Sequence, residues 1–380
     1  MRVEIKPQLL TWARERSMIE NEVLENRFPK LHEWESGERK PTLKQLENFA
    51  QATHTPVGYF FLDRPPVEEM PVPDFRTMHG ERRRRPSADL LDAIYLCQQR
   101  QDWYREFARS IGERPRAFAA SLAITENPAR AAATIRDVLG FEVEERRRLP
   151  TWTDALRKFV ELADAAGILV MVSGVVGSNN HRKLDPEEFR GFALADPIAP
   201  LVFVNGSDTK AAQMFTLAHE IAHIFLGQSA VSDAQPSVTP EDRVERWCNQ
   251  VAAELLVPAQ MLRDDYDERA DIYSEMQRLA RRFKVSTLVV LRRIFDIGGL
   301  TLVQFRHEYE AELRRLLELP VGSGGNFYLT LGARASKRFA RALVVSTLEG
   351  QSSFTEALRL LGFKRMSTFR ELGQNLGLAV

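Results

Sequence analysis

Cysteine is scarce in this sequence: among 380 residues only Cys97 and Cys248 are present. Two cysteines cannot build the disulfide framework on which small secreted domains depend. Net charge is also missing, because 52 Lys and Arg balance 52 Asp and Glu. That excludes a protein that coats nucleic acid by bulk electrostatics and leaves only a local basic patch for such contact. No run of about 18 apolar residues occurs, so no membrane span is expected. The longest apolar stretch, 167–176, is strand-sized and rich in β-branched residues. The opening Met1-Arg2-Val3-Glu4-Ile5-Lys6-Pro7 lacks the apolar core of a signal peptide. No internal repeat is visible. A soluble, cytoplasmic protein is expected.

What is present is an ordinary globular composition. Hydrophobic residues make up 44% and charged residues 27%, with 22 Phe among them, which is enough to build a sizeable core. One compact domain rarely exceeds roughly 250–300 residues, so two or three units are expected. Residues 1–66 read as short helices. Trp34-Glu35-Ser36-Gly37 marks a helix end, and Pro41-Thr42-Leu43 opens a helix with Leu43, Leu46, Phe49 and Ala50 on one face. Residues 67–150 read as a proline-bearing linker, with the run Arg82-Arg83-Arg84-Arg85, followed by helices. Residues 151–298 combine an amphipathic helix (154–165), short β-rich runs at 168–172 and 201–204, and further helices. The break Gly322-Ser323-Gly324-Gly325 lies within a C-terminal region, 299–380, that starts with a candidate strand at 327–331. The fold class expected is α+β, mostly helical, with a small sheet.

The chemistry is concentrated in one predicted helix, 208–227, with Asp208 as the candidate cap and Gly227 just past its end. It contains His219-Glu220-Ile221-Ala222-His223, a His-Glu-x-x-His pattern. A spacing of four puts His219 and His223 one turn apart on one face, where both imidazoles can reach a single Zn²⁺. Glu220 is then turned toward the flank of the metal, the place for a general base rather than a ligand. Catalytic zinc usually takes three protein ligands. A second predicted helix, 239–257, with Thr239 as cap and Pro240 at its first position, offers Glu245, with Asn249 four residues on to hold a zinc-bound histidine. Glu254 on the same helix is a competing ligand. Cys248, Asp233 and His181 are outside candidates.

The segments 215–227 (Phe-Thr-Leu-Ala-His-Glu-Ile-Ala-His-Ile-Phe-Leu-Gly) and 245–258 (Glu-Arg-Trp-Cys-Asn-Gln-Val-Ala-Ala-Glu-Leu-Leu-Val-Pro) resemble the ImmA/IrrE family of zinc metallopeptidases. So do 188–194, 200–205 and 71–77 (Pro-Val-Pro-Asp-Phe-Arg-Thr). The resemblance covers roughly residues 1–300. It implies a zincin-like minimal metallopeptidase core, one Zn²⁺ held by His219, His223 and Glu245, and Glu220 as catalytic base. Trp247-Cys248 departs from the pattern without touching that set. The resemblance also implies an endopeptidase that cleaves a protein regulator, often a repressor, in a stress or mobile-element response. A cognate toxin or regulator is a further partner it suggests. The strand 201–204 is a candidate edge to which an extended substrate adds as a further strand.

Residues 9–62 resemble a Cro/repressor-type helix-turn-helix module, carried by the stretch 34–47. Two features stand against DNA binding. Between Arg16 and Trp34 the chain is about four residues short for two full helices and the usual turn. Residues 1–66 also hold ten Lys or Arg against ten Asp or Glu, whereas DNA modules carry a basic face. DNA binding and a degenerate docking module both stay open. A second helix–turn–helix cadence, Met276 to Asp296, reads either as such a motif or as a helix pair packed on the catalytic core. The chain is therefore expected to be a zinc endopeptidase. The other reading is a DNA-binding regulator or antitoxin-like protein whose zinc site is structural or sensory.

Overall fold

The computed structural model describes residues 1–75, 86–232, 242–318 and 334–379. The Arg82–Arg85 run, the 322–325 break, the 327–331 strand, Asp233, Thr239 and Pro240 lie outside them. The chain divides into two compact units: Met1–Pro71 with Glu81–Ile94, and Val72–Gly80 with Tyr95–Val380.

In the first unit, α1 (Pro7–Arg16), α2 (Asn21–Arg27), α3 (Leu31–Glu35) and α4 (Leu43–Ala52) enclose their own core. That core includes Leu9, Leu10, Trp12, Phe28, Trp34, Leu46, Phe49 and Phe60. The interval 17–33 holds α2 and only the start of α3, which runs on through Trp34 to Glu35; both helices are short. Thr42 caps α4 through a reciprocal capping box with Gln45, which satisfies backbone donors that open the helix.

The second unit is mostly helical α+β around one four-stranded sheet. Before the sheet come α5 (Ala88–Ser110), which spans both units, α6 (Pro128–Leu139), α7 (Val143–Arg147) and α8 (Trp152–Ala166). The expected helical region 87–148 is thus interrupted by irregular chain between α5 and α6. The strands are β1 (Leu169–Ser173), β2 (Gly191–Leu194), β3 (Leu201–Asn205) and β4 (Ala230–Ser232), ordered β1-β3-β2-β4. β1 runs parallel to β3, while β2 is antiparallel to both β3 and β4. β3 is therefore an interior strand with both edges paired, and it cannot be the free edge expected for addition of an extended substrate. Its burial on both faces explains why its sequence does not alternate.

Strand period two sorts the sheet's faces. Val170, Val202, Val204 and Ala193 join the main core with the helix α9 (Lys210–Leu226). On the other face the register aligns Met171, Phe203, Phe192 and Val231, with Phe192 and Phe203 stacked at 4.8 Å. α9 packs on β2, β3, α8 and α10 (Arg243–Leu256). Beyond α10 follow α11 (Ala259–Asp265), α12 (Ile272–Phe283), α13 (Thr287–Asp296) and α14 (Leu302–Glu318). Met276, Leu279, Phe283, Val290 and Ile294 of α12 and α13 are buried in the same core as Leu217 and Ile221 of α9. This pair is a packing element of the second unit. Helices α15 (Lys337–Leu348), α16 (Phe354–Leu361) and α17 (Met366–Asn375) complete the chain, and α15 packs on α8.

Candidate metal centre

α9 starts at Thr209, whose hydroxyl accepts the Ala212 N–H, and ends at Gly227 in the left-handed conformation. The expected cap Asp208 instead pairs with Arg190 at 2.6 Å. Every residue from Gln213 to Phe225 is buried, so α9 runs through the interior rather than along a surface. That placement requires its polar side chains to find partners inside. α10 is capped by Asp242, which accepts from Val244 and Glu245 N–H groups.

The two helices bring His219, His223 and Glu245 together, their donor atoms within 4.8 Å of one another. His219 Nε2 lies 3.2 Å from Glu245 Oε2, His223 Nε2 lies 2.9 Å from Glu245 Oε1, and the two Nε2 atoms are 3.1 Å apart. Zinc bonds of 2.0–2.1 Å in a tetrahedron separate ligand atoms by about 3.3 Å, so the spacing fits such an ion. Asn249 Oδ1 meets His219 Nδ1 at 2.9 Å, a contact that turns Nε2 of the same ring toward the cluster. Among the described residues, no other group of three His, Cys, Asp or Glu side chains converges in this way.

The remaining candidates sit elsewhere. Glu254 pairs with Arg293 at 2.6 Å and accepts the Ala259 N–H. Cys248 is buried in the main core, and burial pushes its thiol well above the usual range. His181 is exposed.

Glu220 is fully buried and neither carboxylate oxygen has a hydrogen-bond partner. Burial raises its pKa to about 8, opposed by His219 and reinforced by the charge of Glu245. Burial opposes charge on Glu245 as well, but His219 and His223 prevail and hold its carboxyl far below the usual range. Burial also works against protonated histidines. At His219 the Glu245 carboxylate outweighs it and the pKa is raised, whereas at His223 burial wins and the pKa is lowered. An unpartnered buried carboxylate beside a His–His–Glu cluster is the arrangement expected where water and a cation complete the site.

Two residues of the site escaped sequence reasoning. The register that places Val204 beside Gly191 and Gly191 beside Ser232 forms the row of the sheet that faces α9. A Cβ at Gly191 would stand 2.6 Å from Thr216 Cγ2 and 3.0 Å from Glu220 Oε1. Glycine is therefore what allows Glu220 to approach the sheet. Ser232 Oγ lies 3.5 Å from Glu245 Oε1. A glycine inside the strand-like 188–194 pattern was the available signal for the first. Nothing local marks the second.

Comparison with known proteins places this centre in context. Residues 163–295 match the family model Peptidase_M78, described as the IrrE N-terminal-like domain. Residues 335–375 match a model described only as a domain of unknown function. The chain is 32% identical over 121 residues to the "Radiation response metalloprotease IrrE" of Deinococcus radiodurans, covering 30% of this chain and 36% of that protein. It is 34% identical over 101 residues to the protein of the same name from Deinococcus deserti, covering 25% of this chain and 36% of that one. The chain thus spans about a third of the length of the curated relatives it matches. Residues 163–295, which contain both α9 and α10, therefore form a zincin-type domain similar to that of the IrrE metallopeptidases.

Proposed function

We propose that this chain is a zinc-dependent endopeptidase that cleaves a protein regulator, repressor-like in kind, in a stress or mobile-element response. The observation that carries the reading is the junction of three converging donors, His219, His223 and Glu245, with the orphaned carboxylate of Glu220. Zinc held there would acidify water and polarise a scissile carbonyl. Glu220 would accept the water's proton on a carboxylate oxygen and deliver it to the leaving amine. Asn249 would hold the His219 ring in the tautomer that leaves Nε2 free. Burial of all four residues excludes bulk water, so each charge acts at short range in a low dielectric. The stress setting rests on the names of the two Deinococcus relatives.

Three donors rather than four favour this reading over a structural zinc site in a DNA-binding regulator. Glu220→Gln tests it. The substitution keeps shape and removes the base, so zinc content should stay and peptide hydrolysis should fall about 10²–10⁴-fold. Undiminished hydrolysis by Glu220→Gln would remove Glu220 from the mechanism.

A further inference from the structure

The stretch 71–77, Pro-Val-Pro-Asp-Phe-Arg-Thr, supplies none of the three metal donors. Its described part nevertheless lies against the centre. Phe75 N–H donates to Val231 O at 3.0 Å, and Val231 N–H donates to Pro73 O at 2.9 Å. These contacts tie the Phe75 backbone to β4. The Phe75 ring lies over the His223 imidazole, with centroids 6.4 Å apart and planes 12° from parallel. Offset-stacked aromatic pairs have this separation.

The two histidines of the centre are held in different ways. His219 Nδ1 has Asn249 Oδ1 at 2.9 Å. His223 Nδ1 is buried and has no hydrogen-bond partner among the described residues. A metal-ligating histidine ordinarily gives its second ring nitrogen to a carboxylate, a carbonyl or water, and that contact sets the orientation of the ring. The torsion between Cβ and the imidazole is a broad one, so it does not set the orientation by itself. Glu245 Oε1 meets His223 Nε2 at 2.9 Å, but a single contact at one atom leaves the tilt of the ring open. A flat aromatic face nearly parallel to the imidazole limits that tilt, because turning the ring drives its edge into the face.

We propose that Phe75 is the positioning residue of His223. Its stacked ring does for this ligand what the Asn249 contact does for His219. The inference rests on the reading of His219, His223 and Glu245 as a zinc site. It makes the stretch 71–77 part of the support of that site, although α9 and α10 lie far downstream in sequence.

The test uses the full chain and zinc alone, with affinity measured by competition against a chromophoric chelator at neutral pH. Phe75→Ala should weaken zinc binding about tenfold or more, the usual cost of removing a contact that orients a ligand. Phe75→Tyr keeps the flat face and should stay within about threefold of the parent. Phe75→Leu keeps apolar bulk but loses the face, and should weaken binding about fivefold or more. Cobalt(II) in place of zinc adds a readout that a general loss of stability does not mimic. Its visible absorption reports the geometry of the ligands. At saturating cobalt the bands of Phe75→Ala should differ from those of the parent, and those of Phe75→Tyr should coincide with them.

Equal zinc affinity in the parent and Phe75→Ala would overturn the proposal, as would identical cobalt spectra of the two. Where Phe75→Ala does not fold, the other two variants decide, and equal affinity of Phe75→Tyr and Phe75→Leu would overturn it. A parent that takes up no zinc would remove the metal site itself, and this inference with it.

Discussion

Glu220 has room because residue 191 has no side chain. A methyl group there would meet Thr216 Cγ2 at 2.6 Å and the Phe203 carbonyl at 2.8 Å, both parts of a packed interior. Gly191→Ala should therefore destabilise the second unit by about 1–3 kcal/mol, measured by chemical denaturation. It should also displace the Glu220 carboxylate, so hydrolysis should fall further than the stability change explains. An alanine variant as stable and as active as the parent would show that α9 does not depend on this gap. His219, Glu220 and His223 were legible as a group because their chemistry lies in a spacing of one helical turn. Glu245 was legible only as one of two carboxylates on its helix, since choosing between them needs tertiary placement. Arg293, 39 residues along the chain, is what engages Glu254. Ser232 reaches the centre through sheet register, which no local pattern encodes.

At the scale of elements, caps and periods were readable and strand neighbours were not. The glycine end of α9, the start of α4 and the amphipathic helix α8 follow from local rules. The position of β3 does not, because an apolar run of five residues suits an interior strand as well as an exposed one. The α12–α13 pair is another case where burial decides, and it carries a pH-dependent contact. Glu275 is buried at the start of α12, takes two contacts from Arg278 at 2.6 and 2.7 Å, and accepts the Asp267 N–H. The Arg278 hydrogen bonds hold its carboxyl below the usual value of 4.5. Its contribution is complete above that pH and is lost as pH falls through the lower folded-state value. Glu275→Gln should thus destabilise by roughly 1 kcal/mol at pH 7, a modest figure because Arg278 is partly exposed. The gap should narrow as pH falls below 4.5 and on through the lowered folded-state value, and a gap that stays the same throughout would show that charge is not its source.

At the scale of the whole molecule, two units divide the chain, and the N-terminal one has a separate core of short helices. The catalytic chemistry proposed here lies entirely in the second, as does the segment Val72–Gly80. Balanced charge over the whole chain gives no bulk electrostatic attraction to nucleic acid. The most direct test is the zinc content of the purified chain by elemental analysis, alongside His219→Ala, Glu245→Ala and Glu220→Gln. About one zinc per chain is expected in the parent and in Glu220→Gln, with loss in the other two. A parent that takes up no zinc when it is supplied at neutral pH, or a Glu245→Ala variant that keeps it fully, would contradict the assignment of His219, His223 and Glu245 as the metal site.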